Sequence, residues 1–521
     1  MTFTTLLLFI LIVQLVHFLG TWKLYIKAGR KAWEALIPIY NAIVLMKIIN
    51  RSPWLTILLF VPIVNLIMFP VVWVETLRSF GKNSNTDTFL GVITCGFYIY
   101  YINYTQDVTY IEDRSLKPRT AAGEWTSSIL FAIIAATIVH TYVMQPFTIP
   151  TSSLEKTLLV GDFLFVSKFH YGARAPMTAV SFPMVHDTVP VLRKKSYTLE
   201  PQLPYFRFPG FQDIKRNDIV VFNWPTDTLI DINNPAKGFK IKPLDKKSNY
   251  VKRCVGIPGD SLEVRDGYVY INGKQNVLPS RARLQFSYFV KTKGTLNPQL
   301  LKDRYDITDR FNYNRENSVY GFAAISDESV ELLKKNPNVI EIIKIENEEG
   351  NWNRGVFPQD PRFPWNTKFF GPIYIPQQGA TTAITIENIP LYKRIIEVYE
   401  GSELGIDNKI SQSGTQVFLN GNPITEYTFL QDYYWMMGDN RDNSQDARMW
   451  GYVPFNHVVG KPVFVWMSWD SNAQGNKVRT ERLFTTVGGD GEPVSYFKYF
   501  IILLGAWFAF DFFRKRKKKK A

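Results

Sequence analysis

Apolar positions fall first into long uncharged runs and then into short alternating ones. Four uncharged runs, about 2 to 20, 53 to 74, 88 to 106 and 125 to 145, approach the roughly 20 residues that a helix needs to cross a bilayer. The second holds Pro62, Asn65 and Pro70, which a membrane helix tolerates when neighbouring groups satisfy the freed backbone. A fifth run, 496 to 513, is shorter and carries Lys498 and Asp511 near its ends, so both a spanning and an interfacial helix fit it. Between about 146 and 495 the pattern changes. "DIVVFNW", "SLEVRDGYVYING", "YIPQQGATTAITI" and "KPVFVWMSW" are β-branched and aromatic runs bounded by Gly, Pro, Asn and Asp, the signature of short strands. "DGYVYINGK" predicts a hairpin. From about 275 to 415 the chain is more charged, and "SDESVELLKKN" predicts a helix capped by Ser326 or Asp327, so this stretch is expected as an insertion.

These patterns predict an order of units. Residues 1–124 form a membrane region with about three spanning helices, and 125–145 form an anchor helix. A β domain occupies 146–274 and 416–485 around an inserted domain at 275–415, and a C-terminal helix at 496–513 precedes a basic tail at 514–521. Lys and Arg crowd residues 22 to 52 and 107 to 124, whereas the loop 78 to 87 has only Arg78 and Lys82. By the positive-inside rule the two crowded loops are cytoplasmic and the β domain is extracytoplasmic. Residues 1 to 22 lack a basic leading segment, so no cleavable signal peptide is expected.

Charge changes little in this picture. The formal net charge is +14, but "RKRKKKK" at 514 to 520 supplies seven positive charges, and a terminal basic run beside an apolar segment fits a membrane surface. No nucleic-acid partner is expected. The two cysteines, Cys95 and Cys254, make no disulfide framework.

Candidate chemistry narrows to serine. No H-E-x-x-H and no zinc-spaced Cys/His cluster occurs, so no metal site is expected. "GDNRDNSQD" at 438 to 446 places Arg441 where a calcium loop needs an oxygen ligand. The adjacent Ser152 and Ser153 follow the anchor helix directly, and a serine nucleophile needs a base. His170 and His457 are possible bases. The other is a lysine desolvated enough to lose its proton near neutral pH. In "NYVKRCVGIPGD", read as a strand, Lys252 shares a face with Tyr250 and Cys254, while Val251, Arg253 and Val255 take the other.

"IPTSSLEKTLLVGD", "NYVKRCVGIPGD" and "MMGDNRDNSQDARMWGYVP" occur in this order after a membrane segment. Together they resemble the sequence boxes of type I signal peptidases, the membrane-bound Ser-Lys leader peptidases of bacteria. The resemblance covers about 125 to 270 and 415 to 470, and leaves residues 1 to 124 and the insertion without an inherited role. It implies a mainly β catalytic domain of antiparallel sheets, to which the patterns above add an α-containing insertion and a multi-span α-helical membrane region.

The resemblance also implies roles. Counting back eight residues from Gly161 lands on Ser153 as nucleophile, with Ser152 standing where the family usually has glycine and Leu154 where it commonly has methionine. Lys252 matches the general base, and Ser444 the hydroxyl that orients it. Thr151 matches the oxyanion donor, and Asp446 and Arg448 a supporting ion pair. Phe147, Ile149, Tyr250 and Val251 are expected at shallow apolar pockets for small residues before the cut. The implied activity is removal of N-terminal signal peptides from exported proteins, without a cofactor, at the cell (inner) membrane. Implied partners are signal-peptide-bearing preproteins and the lipid bilayer, with protein-export machinery as a further candidate. A non-catalytic membrane assembly factor that keeps the boxes as scaffold, and a self-cleaving Ser-Lys enzyme of other specificity, remain alternatives.

Overall fold

The computed structural model describes residues 2–227, 242–470 and 477–520, the side chains of 517–520 excepted. Ala521, the last residue of the expected 514–521 tail, lies outside the described residues. The chain divides into two compact units, one of residues 1–143, 174–208 and 242–246, the other of 144–173, 209–241 and 247–521.

The first unit is mostly helical. Helix α1 (Phe3–Lys27) is followed by α2 (Tyr40–Ile48), α3 (Asn65–Ser79), α4 (Asn85–Ile93), α5 (Tyr98–Thr105) and α6 (Ala121–Ile138), which one π turn extends to Val143. Among the described residues two helices are long and apolar enough to cross a membrane, Phe3–Lys27 and Ala121–Val143. The expectation of about three spanning helices before residue 125 is not confirmed by these two. The 53 to 74 run is interrupted by a 3-10 segment at Pro53–Leu59 and by Ile63 at φ 70°, and α3 then starts at Asn65 and carries Pro70 inside it. The 88 to 106 run is cut by Cys95 and Gly96 at φ 51° and 84°. Part of each run is buried in a core, with Val64, Val72, Ile99 and Ile102 packed in the cluster that holds Leu24 and Tyr25 of α1.

The second unit is built on antiparallel sheets. Strands β1 (Met144–Thr148), β2 (Asp162–Ser167), β3 (Ile219–Asn223) and β4 (Asn249–Gly256) come first, followed by the short strands β5 (Ser261–Arg265), β6 (Tyr268–Ile271) and β7 (Lys274–Gln275). The turns joining β5, β6 and β7 are Asp266-Gly267 and Asn272-Gly273, all four residues at positive φ, the backbone that matches the twist of a two-residue hairpin. The predicted hairpin is thus two successive ones.

Next come β8 (Gln285–Thr292), α7 (Pro298–Asp303), β9 (Phe311–Asn314), β10 (Val319–Ser326), α8 (Asp327–Lys334) and β11 (Val339–Lys344). Ser326 caps α8, its hydroxyl accepting from the Ser329 N–H. The order β11-β8-β10-β9 gives this segment its own sheet and core, around Phe286, Val290, Leu301, Phe322 and Leu333.

The stretch 275–415, expected as one insertion, is in fact divided between two cores. β12 (Phe370–Tyr374) pairs with β5, and α9 (Ile389–Arg394) buries Ile389 and Tyr392 in the cluster that holds Trp435 and Tyr452. Charge pattern alone does not separate the two halves.

The chain returns through β13 (Tyr433–Met437), α10 (Ala447–Trp450), β14 (Val453–Pro454), β15 (Val458–Ser468) and β16 (Thr485–Thr486). The principal sheet runs β1-β2-β15-β3-β4-β13-β14, with β16 on β15. Bulges between β2 and β15 at Phe163/Leu164 and Phe165/Val166 sharpen its twist. Helix α11 (Phe497–Lys520) joins the last apolar run and the basic tail, and its charged residues separate it from the two spanning candidates.

The turn into β2 depends on a glycine. Gly161 has φ +90°, and an added Cβ would meet the Trp469 carbonyl, while the Trp469 N–H donates to the Gly161 carbonyl at 2.9 Å. Gly161→Ala is therefore expected to destabilise the second unit by roughly 2–4 kcal/mol, combining a left-handed backbone with an overpacked contact. Thermal or denaturant unfolding of the full chain in detergent measures this.

Candidate active site

Ser153 lies in a 3-10 turn, Ser152–Leu154, between β1 and β2. Leu154 and Leu158 anchor the turn in the cluster of Leu164, Val166 and Val221. Asp162 closes the loop from its far side: its carboxylate accepts from the Leu159 N–H and the Ser468 hydroxyl and pairs with Arg482. The Gly-Asp pair is thus a backbone turn followed by a carboxylate that ties the turn down.

Lys252 comes from the middle of β4, where β3 pairs Val220 with Lys252 and Val221 with Val251. The predicted alternation is observed: Tyr250 and Cys254 join one cluster, with Val220, Phe222 and Met436, whereas Val251 and Val255 join others. Lys252 Nζ lies 2.6 Å from Ser153 Oγ, with Lys252 3 % and Ser153 7 % exposed.

Ser152 Oγ instead meets Asp309 and Asn443, each at 3.1 Å. Of the two adjacent serines, only Ser153 is in contact with the lysine.

The electrostatics follow from who pairs with whom. Asp439 is held by Arg253 through two bonds of 2.7 and 2.6 Å and also accepts from the Thr157 hydroxyl. Asp446 is held by Arg448 through bonds of 2.9 and 2.8 Å and accepts from the Gly438 N–H. Burial alone would raise both carboxyls, but the Arg253 and Arg448 guanidinia hold them below the usual carboxylate range. Both carboxylates therefore stay charged, yet each is already committed to an arginine. Among the described residues no carboxylate forms an ion pair with Lys252.

Burial consequently dominates at Lys252 and pulls its ammonium from 10.5 down to about 8, Asp446 and Asp439 opposing and Arg448 assisting. Between about pH 8 and 10.5 the unfolded chain would keep a proton that native Lys252 has lost, so this group's contribution to stability improves as pH rises through that window.

The other expected residues are placed unevenly. Asp446 and Arg448 form the expected pair, and Asp446 also caps α10. Thr151 is exposed immediately before the Ser152–Leu154 turn, extended at φ −132°. Ser444 Oγ is buried, but it has no hydrogen-bond partner among the described residues, and the lysine-orienting contact expected for it is not made. Its hydroxyl fills the space beside Gly438 where a Cβ would collide with it and with the Ser153 carbonyl.

Ile149 is buried in the cluster of Leu154 and Phe147 and Val251 border it, whereas Tyr250 packs with Trp224 and Trp450. Its ring still lies 5.6 Å from Lys252 Nζ. The histidines are engaged elsewhere. His170 meets Ser167 at 2.5 Å, and buried His457 bonds Glu403 and the Asn223 carbonyl. Sequence patterning missed the Arg253–Asp439 pair. Arg253 is adjacent to Lys252 and Asp439 follows Gly438, but only the β4–β13 register, with Met437 opposite Arg253, joins them.

No group of three or more His, Cys, Asp or Glu side chains among the described residues is placed to hold a metal ion. In the 438 to 446 segment, where Arg441 argues against a calcium loop, Asp439, Asp442 and Asp446 are each paired with a cation, Asp442 with Lys368.

Residues 122–307 and 378–469 match the family described as signal peptidase, peptidase S26. Residues 33–113 match a family of unknown function (DUF5684). Among curated proteins, Signal peptidase I of Buchnera aphidicola subsp. Acyrthosiphon pisum is 26% identical over 342 residues, 65% of this chain and 73% of its own. The Haemophilus influenzae protein of the same name is 24% identical over 388 residues, 72% and 79% of the two chains. That of Rickettsia felis is 24% identical over 360 residues, 68% and 84%. The family match takes in more than half of the chain and both residues of the Ser153–Lys252 contact, and the chain belongs to the signal peptidase family, peptidase S26.

Proposed function

We propose that the protein is a membrane-bound serine endopeptidase that removes N-terminal signal peptides from exported proteins, with Ser153 as nucleophile and Lys252 as general base. The observation that carries this reading is the 2.6 Å contact between a buried lysine, without an ion pair among the described residues, and a serine hydroxyl. Neutral Lys252 takes the Ser153 proton as Oγ attacks the scissile carbonyl, then gives it to the leaving amine. Water hydrolyses the resulting ester, with Lys252 again as base. Exposed Thr151 and the Ser153 N–H are the donors assigned to the oxyanion. Phe147, Ile149 and Val251 are assigned to the apolar pockets, and Tyr250 to the lysine's surroundings. Asp446 and Arg448 hold the Gly438 backbone behind the nucleophile turn. Ser444, buried beside Gly438, is the hydroxyl assigned to steady Lys252 once substrate displaces the resting contact.

Helices α1 and α6 are assigned as the spanning pair, with the Lys- and Arg-rich stretches between them cytoplasmic and the β unit extracytoplasmic. Exchanging the two middle runs for short helices removes an even number of crossings, so the side assigned to the catalytic unit is unchanged. Membrane attachment restricts enzyme and signal helix to one plane and helps to orient the scissile bond. Helix α11 is assigned a return crossing, with its basic run cytoplasmic.

Ser153→Ala and Lys252→Ala are each expected to abolish cleavage of a labelled preprotein by membranes containing the full chain. The double variant should be no worse than either, because the two groups act as one unit. Ser152→Ala should retain cleavage. Loss of activity in Ser152→Ala with Ser153→Ala still active would move the nucleophile by one residue.

Thr151→Val is expected to lower kcat by about 10² to 10³ with little change in KM, as for removal of one oxyanion donor. A loss expressed in KM would assign Thr151 to substrate binding.

The rate should rise with pH as a single group of pKa about 8 loses its proton, since only neutral Lys252 can accept one. That limb should survive joint substitution of His170, His186 and His457. A limb that disappears with the histidines would contradict the lysine base.

A further inference from the structure

The nucleophile turn is held by Asp309, a residue that the family match does not contain. The first matched block ends at residue 307 and the second begins at 378, and Asp309 lies between them, in the loop from α7 to β9. One oxygen of its carboxylate, Oδ2, accepts from Ser152 Oγ at 3.1 Å, Asn440 Nδ2 at 2.8 Å and Asn443 Nδ2 at 2.9 Å. Asn440 in turn donates from its side chain to the Ser152 carbonyl and from its backbone to the Ser153 carbonyl, both at 3.2 Å. The same loop grips the residues just beyond: Lys156 Nζ meets Asp306 Oδ1 at 2.7 Å, and the Thr308 hydroxyl donates to Glu155 at 3.0 Å.

We infer that Asp309 is a positioning residue for the reaction proposed above, on which this inference rests. It acts through Ser152. The resemblance places glycine at 152, and a glycine carries no side chain through which the turn could be held. Here the added hydroxyl meets a carboxylate supplied by the additional segment, and the same carboxylate ties down the two asparagines that contact the turn. A three-residue 3-10 turn has few bonds of its own, and catalytic geometry is lost with displacements near 1 Å. The Asp309 network fixes Thr151, Ser152 and Ser153 as one piece, so that Ser153 Oγ stays on Lys252 while the oxyanion donors face the substrate.

The test measures kcat and KM of the full chain in detergent with a preprotein substrate, alongside the thermal midpoint. Asp309→Ala is expected to lower kcat at least about tenfold, with KM within about twofold and the pH limb still near 8, since Lys252 itself is untouched. Asp309→Asn should recover most of the loss, because its amide oxygen can still accept from Ser152. Ser152→Ala should show a smaller fall in kcat, and the pair Ser152→Ala/Asp309→Ala should be no slower than Asp309→Ala alone, the non-additivity of a shared contact.

Activity of Asp309→Ala within twofold of the parent overturns the inference. So does a pair of losses that multiply, or a fall in kcat that Asp309→Asn does not relieve and that tracks a lowered thermal midpoint. An inactive parent chain overturns the proposed function and this inference together, whereas an active parent with an unaffected Asp309→Ala overturns this inference alone.

Discussion

Everything at the site depends on a lysine buried without a carboxylate of its own among the described residues. A buried ammonium normally recruits an acidic partner, and a partner would hold its proton far above neutral pH. Here the two carboxylates that act on Lys252 are each bound bidentately to an arginine, Asp439 to Arg253 and Asp446 to Arg448. These pairs satisfy their own buried charges and still leave Lys252 to the desolvating strands around it. The pairs also build the local backbone. Arg253 and Asp439 join β4 to the start of the last sequence box, and Asp446 caps α10 and binds the Gly438 N–H. The same interactions therefore shape the turn behind Ser153 and leave the lysine poised near neutrality.

What was legible in the sequence was what short patterns encode. Alternation in "NYVKRCVGIPGD" gave the two faces of β4, "DGYVYINGK" marked a hairpin where the chain makes two, and Ser326 or Asp327 marked the start of α8. The Ser153–Lys252 contact spans 99 positions, and it was suggested by the ordered boxes and not by any local pattern. Contacts that need a register or a fold were not legible. Arg253 meets Asp439 only through the pairing of β4 with β13, and Asp309 reaches Ser152 across 157 positions, from a segment outside the resemblance.

The membrane region shows the limit of counting apolar residues. The runs at 53 to 74 and 88 to 106 are as uncharged as a spanning helix, yet Pro53, Ile63, Cys95 and Gly96 break them into pieces. Uncharged composition reports that a segment avoids water and does not say whether lipid or protein surrounds it. The segment 275–415 shows the converse: its charge suggested one separate body, but α9 and β12 belong to the core behind β13.

The most direct test of the account is the protonation of Lys252 itself. In full-length protein carrying ¹³C-labelled lysine, titrated in detergent between about pH 6 and 11, the account predicts one lysine Cε resonance with a midpoint near 8 that disappears in Lys252→Ala. A Lys252 resonance that titrates at the ordinary lysine value of about 10.4 would contradict it, because the group would then be charged at neutral pH and unable to take a proton from Ser153.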